Sequence, residues 1–336
     1  MPLPLLLAGA ALLAGGYGVK KGIDAKNSFD EAESLNSEAE QIYDKASNSL
    51  EKARKSAQKA MDGLGKLKFE IYELRLIPFV EAFSKIKNID FQDQRLKEAF
   101  HLAGVSQNDM LAIEKSALDM KQVVGGGVTA LGAGGLAGLA AYGGVGALAS
   151  TAGGTAIAGL SGAAATNATL AWLGGGALSA GGFGMAGGAA VLGGIVAGPV
   201  LAIGGMMLAS KAEEARQNAY SNRAKARAAA EEMKTARTVT KGIEKRFTEI
   251  QDVLRELDKH FDPLLSGLQK VVRHGTDYSS YSMENRKGIM MAAAMAKTLK
   301  NVLEAPLLNE NGSLTAASRN VMLEAHDKLL EIENAQ

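Results

Sequence analysis

Between Gln122 and Ser210 the chain runs for 89 residues without a single Lys, Arg, Asp or Glu, while the flanks hold all 73 charged residues, 37 basic and 36 acidic. The formal charge of +1 and the mean hydropathy of +0.00 are averages over two compositions. Each composition asks for its own surroundings. A stretch this long without ionisable groups has to be kept from water, by lipid or by a protein interior.

Glycine fills 27 of those 89 positions. In a soluble helix each glycine costs about 1 kcal/mol relative to alanine, whereas in a bilayer small residues let helices pack closely. Such packing is expected at Gly134 with Gly138, Gly184 with Gly188, and Gly194 with Gly198. The block has room for two to four spans of about 20 residues, residues 189–208 being the best and 123–148 the next. Lys115 and Lys121 precede it and Lys211 and Arg216 follow it. Both flanks then favour one side of a membrane, which implies an even number of spans. Trp172, the one tryptophan, suits a hairpin tip at the bilayer interface, with Gly174, Gly175 and Gly176 beside it, or else a packed core. Thr166, Asn167 and Thr169 either line a polar path or satisfy backbone groups at a turn.

Residues 2–19 are also uncharged, hold six leucines, and are followed by Lys20 and Lys21. Helical, they would span about 27 Å against a bilayer core of about 30 Å. Three readings fit residues 1–21: a retained anchor, an apolar segment docked on the charge-free block, or a cleaved signal. The last has its positive charge on the unusual side.

The charged flanks read as helices. From Ser28, with Glu31 completing a capping box, apolar residues recur at Ala32, Leu35, Ala39, Ile42, Ala46, Leu50, Ala53, Ala57, Ala60, Leu64, Leu67, Ile71 and Leu74. The steps are three and four, with one stutter between Ala46 and Leu50. Pro78 ends or kinks this helix. A second seam holds Ala212, Ala215, Ala219, Asn222, Ala226, Ala229, Met233, Ala236, Thr240, Ile243, Phe247, Ile250, Leu254, Leu257 and Phe261 at strict alternation of three and four. Pro263 is expected to stop it after roughly 75 Å. Alanine seams bury little area and need partners along their length, so the two rods are expected to pack antiparallel on each other. Asn222 and Thr240 then fix the register or face a partly wet groove.

No chemistry stands on named residues. The chain lacks cysteine, which removes disulfides, thiolate metal sites and thiol nucleophiles. Neither Gly-Lys-Ser nor Gly-Lys-Thr occurs, and no acidic residue can follow a glycine fingerprint inside a block that has none, so no nucleotide is expected. No basic stripe interleaved with aromatics points to nucleic acid. His101, His260, His274 and His326 are scattered, which leaves no metal pair on one helix. Neither an enzyme nor a cofactor is expected.

The expected fold is all-α: an elongated bundle of antiparallel coiled-coil rods carrying a glycine-rich transmembrane hairpin block. Its parts are the apolar segment at 1–21, a long helix with short helices at 28–122, the embedded block at 123–209, a heptad helix at 210–263, and helices completing the bundle at 264–336. This layout, across residues 28–280, resembles α-helical pore-forming proteins. The run from Asn167 to Gly176 resembles one found in uncharacterised bacterial membrane proteins. The resemblance implies a bilayer as partner, a homo-oligomer, and residence in a bacterial inner membrane or a target membrane. A constitutive membrane scaffold, similar in layout to chemoreceptor hairpins, is the alternative.

Overall fold

The computed structural model describes residues 17–92, 105–124, 136, 139–141, 212–308 and 314–335. The chain is all-α: apart from two isolated bridges, Lys87 with Asp277 and Leu308 with Leu314, no strand occurs among the described residues. Helix α1 covers Tyr17–Ile71 and passes through a π turn at Tyr72–Leu76 into α2, Ile77–Phe83. Helix α3 is Gln107–Val124, α4 is Ala212–His274, α5 is Met283–Glu304 and α6 is Ala316–Ala335. The chain divides into two compact units, residues 1–52 with 195–238, and residues 53–194 with 239–336.

The first unit is a two-helix coil. Its seam is rich in alanine: Ala32 and Leu35 meet Ala219, and Leu50 meets Ala229, Met233 and Ala236. The flanking bonds give its direction. Arg216 pairs with Glu31 at 3.7 Å, Asn222 Nδ2 donates to Asn36 Oδ1 at 3.0 Å, and Arg223 and Arg227 both reach Glu38 at 2.9 Å. Partner numbers rise together, so the helices run parallel, which corrects the antiparallel expectation. Charge explains the choice. Residues 30–44 carry six carboxylates and no Lys or Arg, and residues 216–227 carry Arg216, Arg223, Lys225 and Arg227 and no carboxylate. Only parallel alignment lays the acidic stretch along the basic one and the alanine-rich seams on each other.

Because the chain has no cysteine of its own, Asn36→Cys with Asn222→Cys should be joined in high yield by a short thiol-reactive cross-linker. An antiparallel coil would leave the two thiols unlinked. Glu38→Arg should lower the melting temperature of this unit, and much of the loss should vanish in about 1 M salt, where the screening length falls to roughly 3 Å.

The second unit holds the main core. Along α4, Ile243, Phe247, Ile250, Leu254, Leu257, Phe261, Leu265 and Leu268 are all buried. Pairing with α1 is parallel here too: Gln251 Nε2 donates to the Ala60 carbonyl at 2.9 Å, and Arg75 reaches Asp258 at 2.7 Å and Asp262 at 3.1 Å. Helix α5 is buried along its whole run from Ile289 to Ala296. A helix apolar on every side belongs at the centre of a bundle, and α3 and α6 both pack against it. Phe79 ties α2 to α4, its ring 5.8 Å from that of Phe261 and 5.3 Å from that of Phe83.

Pro263 does not stop α4, which continues to His274. Its ring is exposed, so water can satisfy the carbonyl it leaves unbonded, while Leu265, Leu268 and Val272 continue the buried stripe beyond it. Their burial outweighs the roughly 3 kcal/mol that proline costs inside a helix. Pro78 likewise does not end helical structure. It sits in the first turn of α2, just after the π turn in which the Ile77 N–H bonds the Tyr72 carbonyl. The extra residue of that turn rotates the chain, so Leu76 and Ile77 enter the core and Leu74, placed in the seam by its spacing, stands 55% exposed.

Among the described residues no helix is long and apolar enough to cross a membrane. That overturns the expectation of a membrane-inserting, pore-forming protein and its membrane-scaffold alternative. The hairpin block expected at 123–209 lies outside the described residues except for Val123, Val124, Leu136 and residues 139–141.

Candidate functional site

Leu136, Leu139, Ala140 and Ala141 of the charge-free block sit in a socket of the second unit. After Ala57 the buried face of α1 shifts sideways: Leu64 and Ile71 stay buried, Met61, Lys68 and Tyr72 join them, and Ala60 and Leu67 are left half-buried. That places a lysine where a bundle wants an apolar residue. Lys68 is fully buried, and its Nζ donates to the carbonyls of Leu139 at 3.1 Å and Ala140 at 3.3 Å. Residues 139–141 are helical, so the ammonium donates to carbonyls of a helical backbone.

The neighbouring carbonyl is held from the other side. Ala141 accepts the backbone N–H groups of Leu307, at 2.7 Å, and of Leu308, at 3.0 Å. Leu136, Leu139, Ala140 and Ala141 are all buried. One turn before Lys68 stands Gly65, where an added Cβ would lie 2.2 Å from the Leu136 carbonyl oxygen. Glycine is required there because two backbones touch. The socket thus consists of a glycine that admits the segment, a lysine that binds two of its carbonyls and a loop that binds a third.

Electrostatics follow from enclosure. Burial pushes the Lys68 amine down to about 7, with the Glu304 carboxylate pulling the other way. Glu304 is itself paired with Lys300 at 2.6 Å. Tyr72 shares a 3.0 Å hydrogen bond with Ser116. Burial, then the Glu304 charge, raises its hydroxyl well above the usual range, and the Ser116 bond opposes them. A lysine amine near neutrality is a nucleophile where a substrate can approach it. Here the amine is enclosed and committed to two carbonyls, so the arrangement binds backbone.

The earlier candidates fall elsewhere. Thr166, Asn167, Thr169, Trp172, Gly174, Gly175, Gly176, Gly134, Gly138, Gly184, Gly188, Gly194 and Gly198 lie outside the described residues. In the seam, Asn222 is half-buried against Asn36, while Met233, Thr240, Ile243, Phe247, Ile250, Leu254 and Leu257 are buried. Of these, Ile243, Phe247, Ile250, Leu254 and Leu257 belong to the same buried cluster as Leu136, Leu139, Ala140 and Ala141. Lys68, Gly65 and Tyr72 were not singled out from sequence, although Lys68 stands four residues after Leu64 and seven after Met61, on an apolar face. Among the described residues no group of three His, Cys, Asp or Glu is placed to hold a metal. Compared with known proteins, the chain matches no family model, no curated protein and no solved structure.

Proposed function

We propose that this is a non-catalytic, helical holding protein whose second unit grips the leading end of its own charge-free stretch. The observation that carries the reading is the Lys68 socket: a buried amine and two loop N–H groups spent on three successive carbonyls of residues 139–141. Burying a lysine is costly. The hydrogen bonds to those carbonyls, each worth more from a charged donor than from a neutral one, offset part of that cost, so the amine is committed to holding this backbone in place.

Native-state hydrogen exchange tests this. The amides of residues 139–141 should exchange as slowly as the core amides of α5, opening only when the second unit opens. Exchange at those amides close to the rate of an unstructured peptide, with α5 still protected, would sink the proposal.

A further inference from the structure

The second unit contains a cavity of about 510 Å³, walled by the last turns of α4 and the first turns of α5. Its floor is apolar: Leu268, Tyr281 and Ile289 are buried. Three glycines, Gly267 in α4, Gly275 after it and Gly288 in α5, also line it. A Cβ added at any of the three would meet nothing within 4 Å, and none adopts a left-handed backbone. Neither sterics nor backbone conformation therefore calls for glycine there, although glycine inside a helix is unfavourable relative to alanine. Room kept open by residues of two helices around one cavity is what a bound molecule would require.

The rim has two characters. On α4, Lys270 and His274 stand one turn apart, His274 using Nδ1 on the Lys270 carbonyl at 2.8 Å and leaving Nε2 over. On α5, Glu284 and Asn285 face the same space. Among the described residues the ammonium of Lys270, the carboxylate of Glu284 and the side-chain amide of Asn285 have no hydrogen-bond or ion-pair partner. A few uncommitted polar groups around an apolar floor, in a volume of about 300–1,000 Å³, are the marks of a small-molecule site.

We infer that this cavity binds a small zwitterion with an apolar body, its anionic group toward Lys270, its cationic group toward Glu284 and Asn285, and its body on Leu268, Tyr281 and Ile289. Opposite formal charges on opposite walls select a ligand that carries both, since a ligand with only one would leave the other wall unpaired.

The test titrates the full chain, followed by amide NMR shifts, with three probes of one shape: L-phenylalanine, 3-phenylpropanoate, which lacks the ammonium, and phenethylammonium, which lacks the carboxylate. Phenylalanine should bind saturably with Kd of about 1 mM or tighter, and each single-charge analogue should bind about tenfold more weakly. Lys270→Met should weaken phenylalanine and 3-phenylpropanoate while leaving phenethylammonium unchanged. Gly288→Leu fills the cavity from a position with open space, so the variant should melt no lower than the native chain and bind none of the three. Absence of saturable binding by all three probes, equal affinities for them, or binding that survives Gly288→Leu in a folded protein would overturn the inference.

Discussion

Gly65→Ala is expected to lower the stability of the second unit by about 3 kcal/mol, the upper end of what an overpacked core usually costs. The new methyl group would lie 2.2 Å from the Leu136 oxygen and 3.0 Å from its Cα. These are backbone atoms and cannot swing aside as a side chain would. Relief requires the segment to leave α1, and withdrawal breaks the bonds from Lys68 to Leu139 and Ala140 and from Leu307 and Leu308 to Ala141. It also exposes Leu136 and Leu139, each worth about 1.5–3 kcal/mol when fully buried. Helix propensity acts in the opposite direction, favouring alanine by about 1 kcal/mol, so the sign of the result is itself diagnostic. Gly267→Ala is the control: with open space at its Cβ it should raise stability by about 0.5–1 kcal/mol. Urea midpoints of the two variants should move in opposite directions at similar slope. A Gly65→Ala protein as stable as the native chain would mean that the segment does not rest on α1.

How much of this could be read beforehand depended on whether the signal was periodic. The helical class was readable because steps of three and four recur from Ala32 to Ile71 and from Ala219 to Phe261, and no competing alternation of period two is present outside the charge-free block. The direction of pairing was written in the sequence too, in the acidic stretch at 30–44 and the basic stretch at 216–227. It was missed because the seams alone do not distinguish parallel from antiparallel. Pro263 misled because a proline on an exposed face costs less than the burial of Leu265, Leu268 and Val272 returns. The socket was hidden for a different reason. The seam reads unbroken through Leu64, Leu67 and Ile71, so Lys68 reads as a solvated residue beside it, and only the carbonyls of Leu139 and Ala140, 71 and 72 residues away, turn it into a binding group. Such long-range partners leave no local trace. The candidates at 166–176 drew on a span pattern in residues outside the described ones, so the readable composition of the block and its described contacts concern different residues.

Stability of the second unit should rise by several kcal/mol between about pH 7 and pH 10, and the rise should disappear in Lys68→Met. Burial lowers the Lys68 amine from 10.5 to about 7 in the folded chain, so across that window the unfolded chain carries a proton that the folded chain has released. Stability increases with pH wherever the unfolded state binds more protons. At about 1.4 kcal/mol per pH unit the full effect is bounded near 5 kcal/mol. Below about pH 7 both states are protonated and the cost of enclosing the ammonium is constant. Above about pH 10, an ordinary tyrosine value, the sign reverses at Tyr72. Its hydroxyl, raised by burial and by the Glu304 charge, holds its proton when the unfolded phenol has lost it, so stability falls again. The groups around Lys68 that set this profile are Tyr72, Ser116, Glu304 and Lys300. Lys68→Met gives up two hydrogen bonds, about 1 kcal/mol each, and gains a side chain with no charge to enclose. The two proteins should differ least in absolute stability where these terms cancel, and most in slope between pH 7 and 10. Urea denaturation of both across that range decides the matter, for parallel curves would show that the Lys68 amine keeps its ordinary affinity for the proton in the folded chain.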